Sequence, residues 1–565
     1  MPDFRSRSGA RDWHCNAGLW MPRVPVIDAV PHAGIVVCMR WFHGQFSLTL
    51  AGFLALWLAG VSRAATPDVF RFWFTPTVVP TNFAGNVRFE AEITGSPASV
   101  TFRYNSVDRF MFDNGSNGDL VAGDGVWTCL FTANEIISKY TTSTVFRPFI
   151  GFCVPTNAGQ FNIFAEIWTP EIGLATIRTN LAATNQETGY VVNYVASKSQ
   201  LTNFSATYWA SNFFKLHADN YDFLNFVHIA GVRGNRYHAG AKNSVQGIGS
   251  ILYTNDASFG SGGRLQGYSV FPISSLFDGA GPAFSHETGH QWINYLSATI
   301  YSNGISHWPK GDIAINVMGF SIPGGGNVGG NFTYTFTTNG SGGYVTGPAV
   351  GTNISTFNAM ELYLMGFVSS NQVPTYFVFT NQNVTPVNGQ VFTSNEVSLV
   401  TISNVIAAQG LRFPTDTNSQ RIFRCATIIL SEQLLDANAM SLYDFFARRI
   451  EGKQPVAYVD GFASGTSNPW FLATGGRSVI YSKIADETPV LAISQLSNHD
   501  FRINFTGKPG IRYQPQRSVT FANWSNVASL ITIPVSNPPV DVATNFTLMP
   551  LAGTNSAFYR VNVLY

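Results

Sequence analysis

Charge is what this sequence has least of. Asp, Glu, Lys and Arg together make up 12% of its 565 residues, about half the share of an ordinary soluble domain. The 33 basic and 32 acidic side chains leave a formal net charge of +1, and no Lys/Arg cluster disturbs the balance. Such a chain has no electrostatic footprint for phosphates, which argues against a nucleic-acid partner. Cysteine is also scarce, with five in all and no Cys-x-x-Cys spacing, so cysteine-based zinc or dithiol redox chemistry has no basis. Cys15 and Cys38 fall near the N-terminus. Of the remaining three, Cys129 and Cys153 could bridge, which would leave Cys425 unpaired.

Aromatics are abundant: 14% of the chain, including 46 Phe, within a hydrophobic share of 45%. That content excludes disorder, which requires low hydrophobicity and high charge. Gly, Pro, Asn, Thr and Ser punctuate short aromatic runs, the texture of β-rich architecture, and the length suits roughly three or four folded units.

Near the N-terminus, Met39-Arg40 precedes an apolar run from Phe46 to Val61 and then Ser62-Arg63-Ala64. A charged start, an apolar stretch and a small-x-small site occur in signal-peptide order. A membrane anchor is the competing reading, since 22 residues between Arg40 and Arg63 carry no formal charge. Residues 1–64 are therefore read as a leader, with Met39 as the expected true start, and the mature protein is expected to be secreted or extracellular.

Residues 65–194 alternate at period two, as in Val87–Ile93, Val100–Tyr104 and Phe161–Ile167, which predicts an immunoglobulin-like β-sandwich. Between two of its strands runs a loop from Asp113 through Asp119 to Asp124. Its clustered oxygens could hold Ca2+, although it lacks the closing glutamate of an EF-hand, and an Asx-turn hairpin explains it equally. Residues 195–485 mix patterns: helices are expected at 206–216, 283–301, 356–367 and 430–451, with strands at 221–227, 247–253 and 375–380. Gly324–Gly351 reads as a long insertion, either a mobile flap or ornament. From residue 486 to 565 the strands return as a small C-terminal β-sandwich, expected at 501–505, 519–527 and 557–561. Sandwiches of this kind can attach a protein to a cell surface or to glycans.

One constellation stands out: Phe284-Ser285-His286-Glu287-Thr288-Gly289-His290-Gln291-Trp292. On a helix, His286 and His290 share one face and can reach one Zn2+, while Glu287 can deprotonate a water as general base. Phe284, Thr288, Trp292 and Leu296 recur every fourth residue as a core stripe. Gly289 weakens the helix by about 1 kcal/mol relative to Ala, which makes sense if something packs close to the backbone there. With 10 His and 12 Glu, chance yields His-Glu-x-x-His in roughly 0.4% of such chains. A buried histidine pair without a metal is the bland alternative.

A catalytic zinc needs a third protein ligand and an open position. His307, in Ser306-His307-Trp308, is the first candidate. Glu361, in Met360-Glu361-Leu362-Tyr363, is the second, with a second role open to it as a buried acid or helix cap. Asp312 is a further option. Tyr301 and Tyr363 are candidate donors to a transition state.

The ordered succession of Asn220-Tyr221-Asp222-Phe223, Val245–Gly249, Gly263-Arg264-Leu265-Gln266-Gly267, the His286–Trp292 motif, Ser306–Trp308, Val317-Met318-Gly319 and Glu361–Gly366 resembles secreted, multidomain bacterial zinc-metallopeptidase-like proteins of the His-Glu-x-x-His (zincin) type. The resemblance covers roughly residues 200–370. It implies an immunoglobulin-like module, an α+β zincin-like metallopeptidase domain and a β-sandwich tail. It also implies zinc on His286 and His290 and peptide hydrolysis with Glu287 as base. The expected partner is a protein or peptide substrate. A surface adhesion or glycan-binding protein whose metal site is structural or inactive is the alternative reading.

Overall fold

The computed structural model describes residues 66–564, except 142–148, 297–307, 319–331, 352–355, 485–490, 535–541, 550–556 and some shorter stretches. The leader, including Met39, therefore lies outside the described residues. Residues 65–565 pack as one compact unit, built mainly of strands around separate hydrophobic cores.

The first core belongs to a two-sheet sandwich. One sheet has three strands, Asp68–Thr75, Asn86–Thr94 and Val126–Thr132, and the other has five, in the order Val78–Pro80, Phe161–Trp168, Phe149–Pro155, Val100–Tyr104, Val107–Met111. The alternation seen in the sequence sends Val87, Phe89, Ala91 and Ile93 inward. There Phe89 meets Phe102 edge-on at 4.8 Å and Phe102 meets Phe131 at 5.0 Å, a geometry favoured by ring quadrupoles. Cys129 and Cys153 are both buried free thiols, so the bridge between them that the sequence allowed is not formed.

The central sheet runs in the order Tyr237–Gly240, Gly267–Phe271, Phe223–His228, Ile422–Ser431, Val191–Val195, Asn185–Glu187, Arg178–Thr179, with Val479–Tyr481 also paired to Ile422–Ser431. Its inner neighbours are parallel, and Tyr237–Gly240 forms an antiparallel edge. Parallel strands covered on both faces read as continuous apolar runs. Every residue of Phe223–His228 is accordingly buried: Phe223 and Val227 join the core on one face, Leu224 and Phe226 the core on the other. The helix Ala206–Leu216 covers the second face through Trp209, Ala210 and Phe213.

Two expectations change. The strands Arg178–Thr179, Asn185–Glu187 and Val191–Val195, read as the end of the first sandwich, pair into the central sheet. A strand at 247–253 is absent apart from Tyr253–Thr254, because Gly247 and Gly249 both hold positive φ and break any extended run. The part of the 324–351 insertion that is described is ordered, forming an antiparallel hairpin of Phe332–Thr338 with Tyr344–Gly351. The C-terminal sandwich has its own core of Ile503, Phe505, Tyr513, Ile533, Phe546, Leu548 and Val561. Its second sheet is led by Arg512–Ser518 rather than by 519–527. Among the described residues, no helix is long and apolar enough to cross a membrane.

Candidate metal centre

The His-Glu-x-x-His segment forms a short helix, Pro282–Gly289, with proline in its first turn, where a missing N–H costs nothing. It ends well before the expected residue 301. The i, i+4 spacing survives because the His290 amide still donates to the His286 carbonyl at 3.3 Å. Phe284, Thr288, Trp292 and Leu296 are all buried, as their spacing predicts. At Gly289, a Cβ would sit 2.7 Å from Met318 Sδ and 3.1 Å from Phe357 Cε1. The glycine therefore admits the close neighbour that its place in a helix implied.

The two imidazoles face each other. His290 Nε2 lies 3.1 Å from His286 Nε2, with the rings at 86°. His286 Nδ1 is 2.7 Å from the Val317 carbonyl oxygen. A carbonyl can only accept, so Nδ1 carries the proton and Nε2 presents its lone pair, the tautomer a metal ligand needs. Zinc–imidazole bonds are about 2.0–2.1 Å, so two nitrogens 3.1 Å apart subtend an angle of about 100° at a shared zinc. The pair fits that ion. Among the described residues, no third His, Cys, Asp or Glu atom joins both nitrogens within 4.8 Å.

Of the third-ligand candidates, His307 lies outside the described residues, as does Tyr301. Glu361 is fully buried at the start of the helix Ala359–Met365. Its Oε1 accepts the Trp308 indole N–H at 2.7 Å, and its Oε2 accepts the Asn358 amide at 2.7 Å. In return the Asn358 side-chain oxygen accepts from the Glu361 amide, completing a capping box. Burial pushes the Glu361 carboxyl up to about 8, against the pull of these donors. Glu361 thus takes the helix-capping role that was open to it. Asp312 Oδ1 accepts the Phe377 amide at 2.6 Å, and the Tyr363 hydroxyl accepts the Arg412 amide at 3.3 Å.

Glu287 is 5% exposed. Burial pushes its carboxyl up to about 7, and the facing Arg236 guanidinium opposes the rise. Arg236 Nε donates to Glu287 Oε1 at 3.2 Å. Two residues on, at the sheet edge, His238 Nε2 donates to Gln291 Oε1 at 3.0 Å, and Gln291 Nε2 donates to the Lys242 carbonyl at 2.8 Å. The residue following His290 therefore ties the end of the helix to the antiparallel edge strand. Arg236, His238 and Gln291 were not picked out from the sequence. An Arg in a chain so poor in charge was the one available signal.

Other motif residues have structural duties. Asp222 is buried and accepts from Arg264, Gln266, Gln420 and the Arg424 amide, so it joins two of the recurring segments in one polar knot. Gly249 holds φ 88°, and a Cβ there would lie 2.1 Å from the Tyr295 carbonyl oxygen.

In the first sandwich, Asp113, Asp119 and Asp124 bring carboxylate oxygens within 4.8 Å of one another. Asp113 also accepts the amides of Gly123, Asp124 and Gly125, Asp119 that of Gly115, and Asp124 that of Val126. These bonds make the acids staples of their own loop, and of those named the Asp124 to Val126 bond has the i to i+2 spacing of an Asx-turn.

Comparison with protein-family models, with curated proteins and with solved structures gives no match for this chain.

Proposed function

We propose that the chain is a secreted, zinc-dependent peptidase whose metal is held by His286 and His290 and whose general base is Glu287. The observation that carries this reading is the facing pair of Nε2 atoms, 3.1 Å apart, with Glu287 on the same helix. The antiparallel edge strand Tyr237–Gly240 beside the helix supports it. Such an edge can align an extended peptide by main-chain hydrogen bonds. The third ligand in this reading is His307.

Zinc at this site supplies Lewis acidity toward a water and a carbonyl oxygen. The chain's own residues do the rest. The Val317 carbonyl holds the His286 tautomer. Arg236 occupies Glu287 Oε1, which leaves Oε2 to take a proton from the attacking water and pass it to the departing amine.

The test is a metal count followed by a peptide-library assay on the full chain. Wild type should bind one zinc and cleave. Glu287→Gln should retain zinc and lose hydrolysis, and His290→Ala should lose both. Undiminished turnover by Glu287→Gln would overturn the mechanism. Stoichiometric zinc without any cleavage by wild type would favour a binding module with a structural metal.

A further inference from the structure

The segment that carries Arg236 is fastened at both ends. At its start, Val232 bridges to Arg71 on the first sandwich strand. The Arg233 amide donates to the Phe70 carbonyl at 3.3 Å, and Arg233 Nε to the Val69 carbonyl at 3.2 Å. Its guanidinium also pairs with Asp68 and stacks 4.2 Å over Phe161. Gly234 donates to Ser274 Oγ at 3.2 Å. At its end the segment becomes the edge strand Tyr237–Gly240. Arg236 is thus held in one place by the sandwich on one side and the central sheet on the other.

A guanidinium has five N–H donors, and Arg236 spends one, from Nε, on Glu287. Its two terminal nitrogens have no partner among the described residues, yet they are not among the buried unpaired atoms. The side chain is 29% exposed. They are therefore open to solvent, directly beside the carboxylate assigned as general base. Guanidinium is planar and can grip one carboxylate along its Nε edge and a second end-on through its terminal nitrogens.

We infer that Arg236 is an anion subsite that selects peptides bearing a carboxylate close to the scissile bond. The inference rests on the peptidase reading for the position of cleavage, but not for the binding. The carboxylate can come from an Asp or Glu side chain or from the peptide's own C-terminus, and both offer the same two oxygens. A charge-assisted pair of this kind favours its ligand about tenfold or more over a neutral analogue.

Three fluorescent peptides of one neutral parent sequence test this: an amidated form with an internal Asp, a neutral form with a free C-terminal carboxylate, and a neutral amidated form. Their binding to the metal-depleted full chain is read by anisotropy, and their kcat/KM is read on the zinc-loaded chain. Wild type should prefer at least one carboxylate peptide about tenfold, and the preferred one identifies the source. Arg236→Gln should abolish the preference, so that both carboxylate peptides bind this variant no better than the neutral amidated peptide binds the same variant. Arg236→Lys, which keeps the charge and loses the fork, should retain part of it. Equal affinities in wild type would overturn the subsite, as would an equal loss for all three peptides in Arg236→Gln, which would reduce Arg236 to a positioning residue for Glu287. If wild type cleaves nothing while the binding preference and its loss both hold, the subsite stands and the peptidase reading falls.

Discussion

Replacing Glu361 separates a packing acid from a metal ligand. The Glu361→Ala change removes both acceptors from two enclosed donors, the Trp308 indole N–H and the Asn358 amide. Each orphaned donor costs about 1–3 kcal/mol, and the one lost methylene costs about 0.8 kcal/mol. Together that is about 3–7 kcal/mol, comparable with the whole stability of a typical domain, about 5–15 kcal/mol. Glu361→Gln keeps the shape and one acceptor and should lose only about 1–3 kcal/mol. Denaturant unfolding followed by tryptophan fluorescence should therefore rank the midpoints wild type, Gln, Ala, with a large gap before the last. Zinc measured on whatever remains folded should stay stoichiometric in both variants. A Glu361→Ala protein with an unchanged midpoint and no zinc would refute the reasoning, because that is how a ligand behaves.

Burial pushes the His228 imidazole down to about 4 from an ordinary value near 6.5, and its Nε2 is enclosed without a partner. The unfolded chain then binds the proton first as pH falls, so stability should drop between about pH 6.5 and 4. His228→Leu should flatten that part of a melting-temperature profile, and an unchanged slope would contradict it. Cys129, Cys153 and Cys425 are buried free thiols, with burial pushing Cys129 up to about 12. A thiol reagent at pH 8 should leave all three unlabelled in the native protein and label all three after denaturation without reductant. Labelling of Cys425 alone would mean that Cys129 and Cys153 are bridged. Asn193 is fully buried and bonds to Gln186, Ile429, Ser431 and Leu435. Asn193→Ala should lower the unfolding midpoint by several kcal/mol of stability, and a shift below 1 kcal/mol would show that the network matters little.

Local pattern was legible wherever one period dominated. Val87–Ile93 and Phe161–Ile167 alternate and are strands, and Ala206–Leu216 is a helix at the expected residues. The helix expected over 283–301 ends at Gly289, since the sequence records which side chains want burial but not how soon the chain must turn to bury them. In the same way, 178–195 looked like more sandwich, because alternation does not say which sheet a strand will join.

For the site, the sequence by itself determined the donor types: two imidazoles four residues apart with a carboxylate between them, in a chain too poor in charge for that to be routine. Helical periodicity suffices for this much, because it places residues i and i+4 on one face regardless of what surrounds them. Only the tertiary structure decided the supporting groups. Arg236 lies 51 residues before Glu287, the Val317 carbonyl 31 after His286, and Trp308 53 before Glu361. Contacts at those separations depend on how sheets and loops pack, and no local periodicity encodes them. The scarce charge with which the chain began is spent where packing can use it: on Glu361 as a buried cap, on Asp222 as a polar knot, and on Arg236 beside the candidate base.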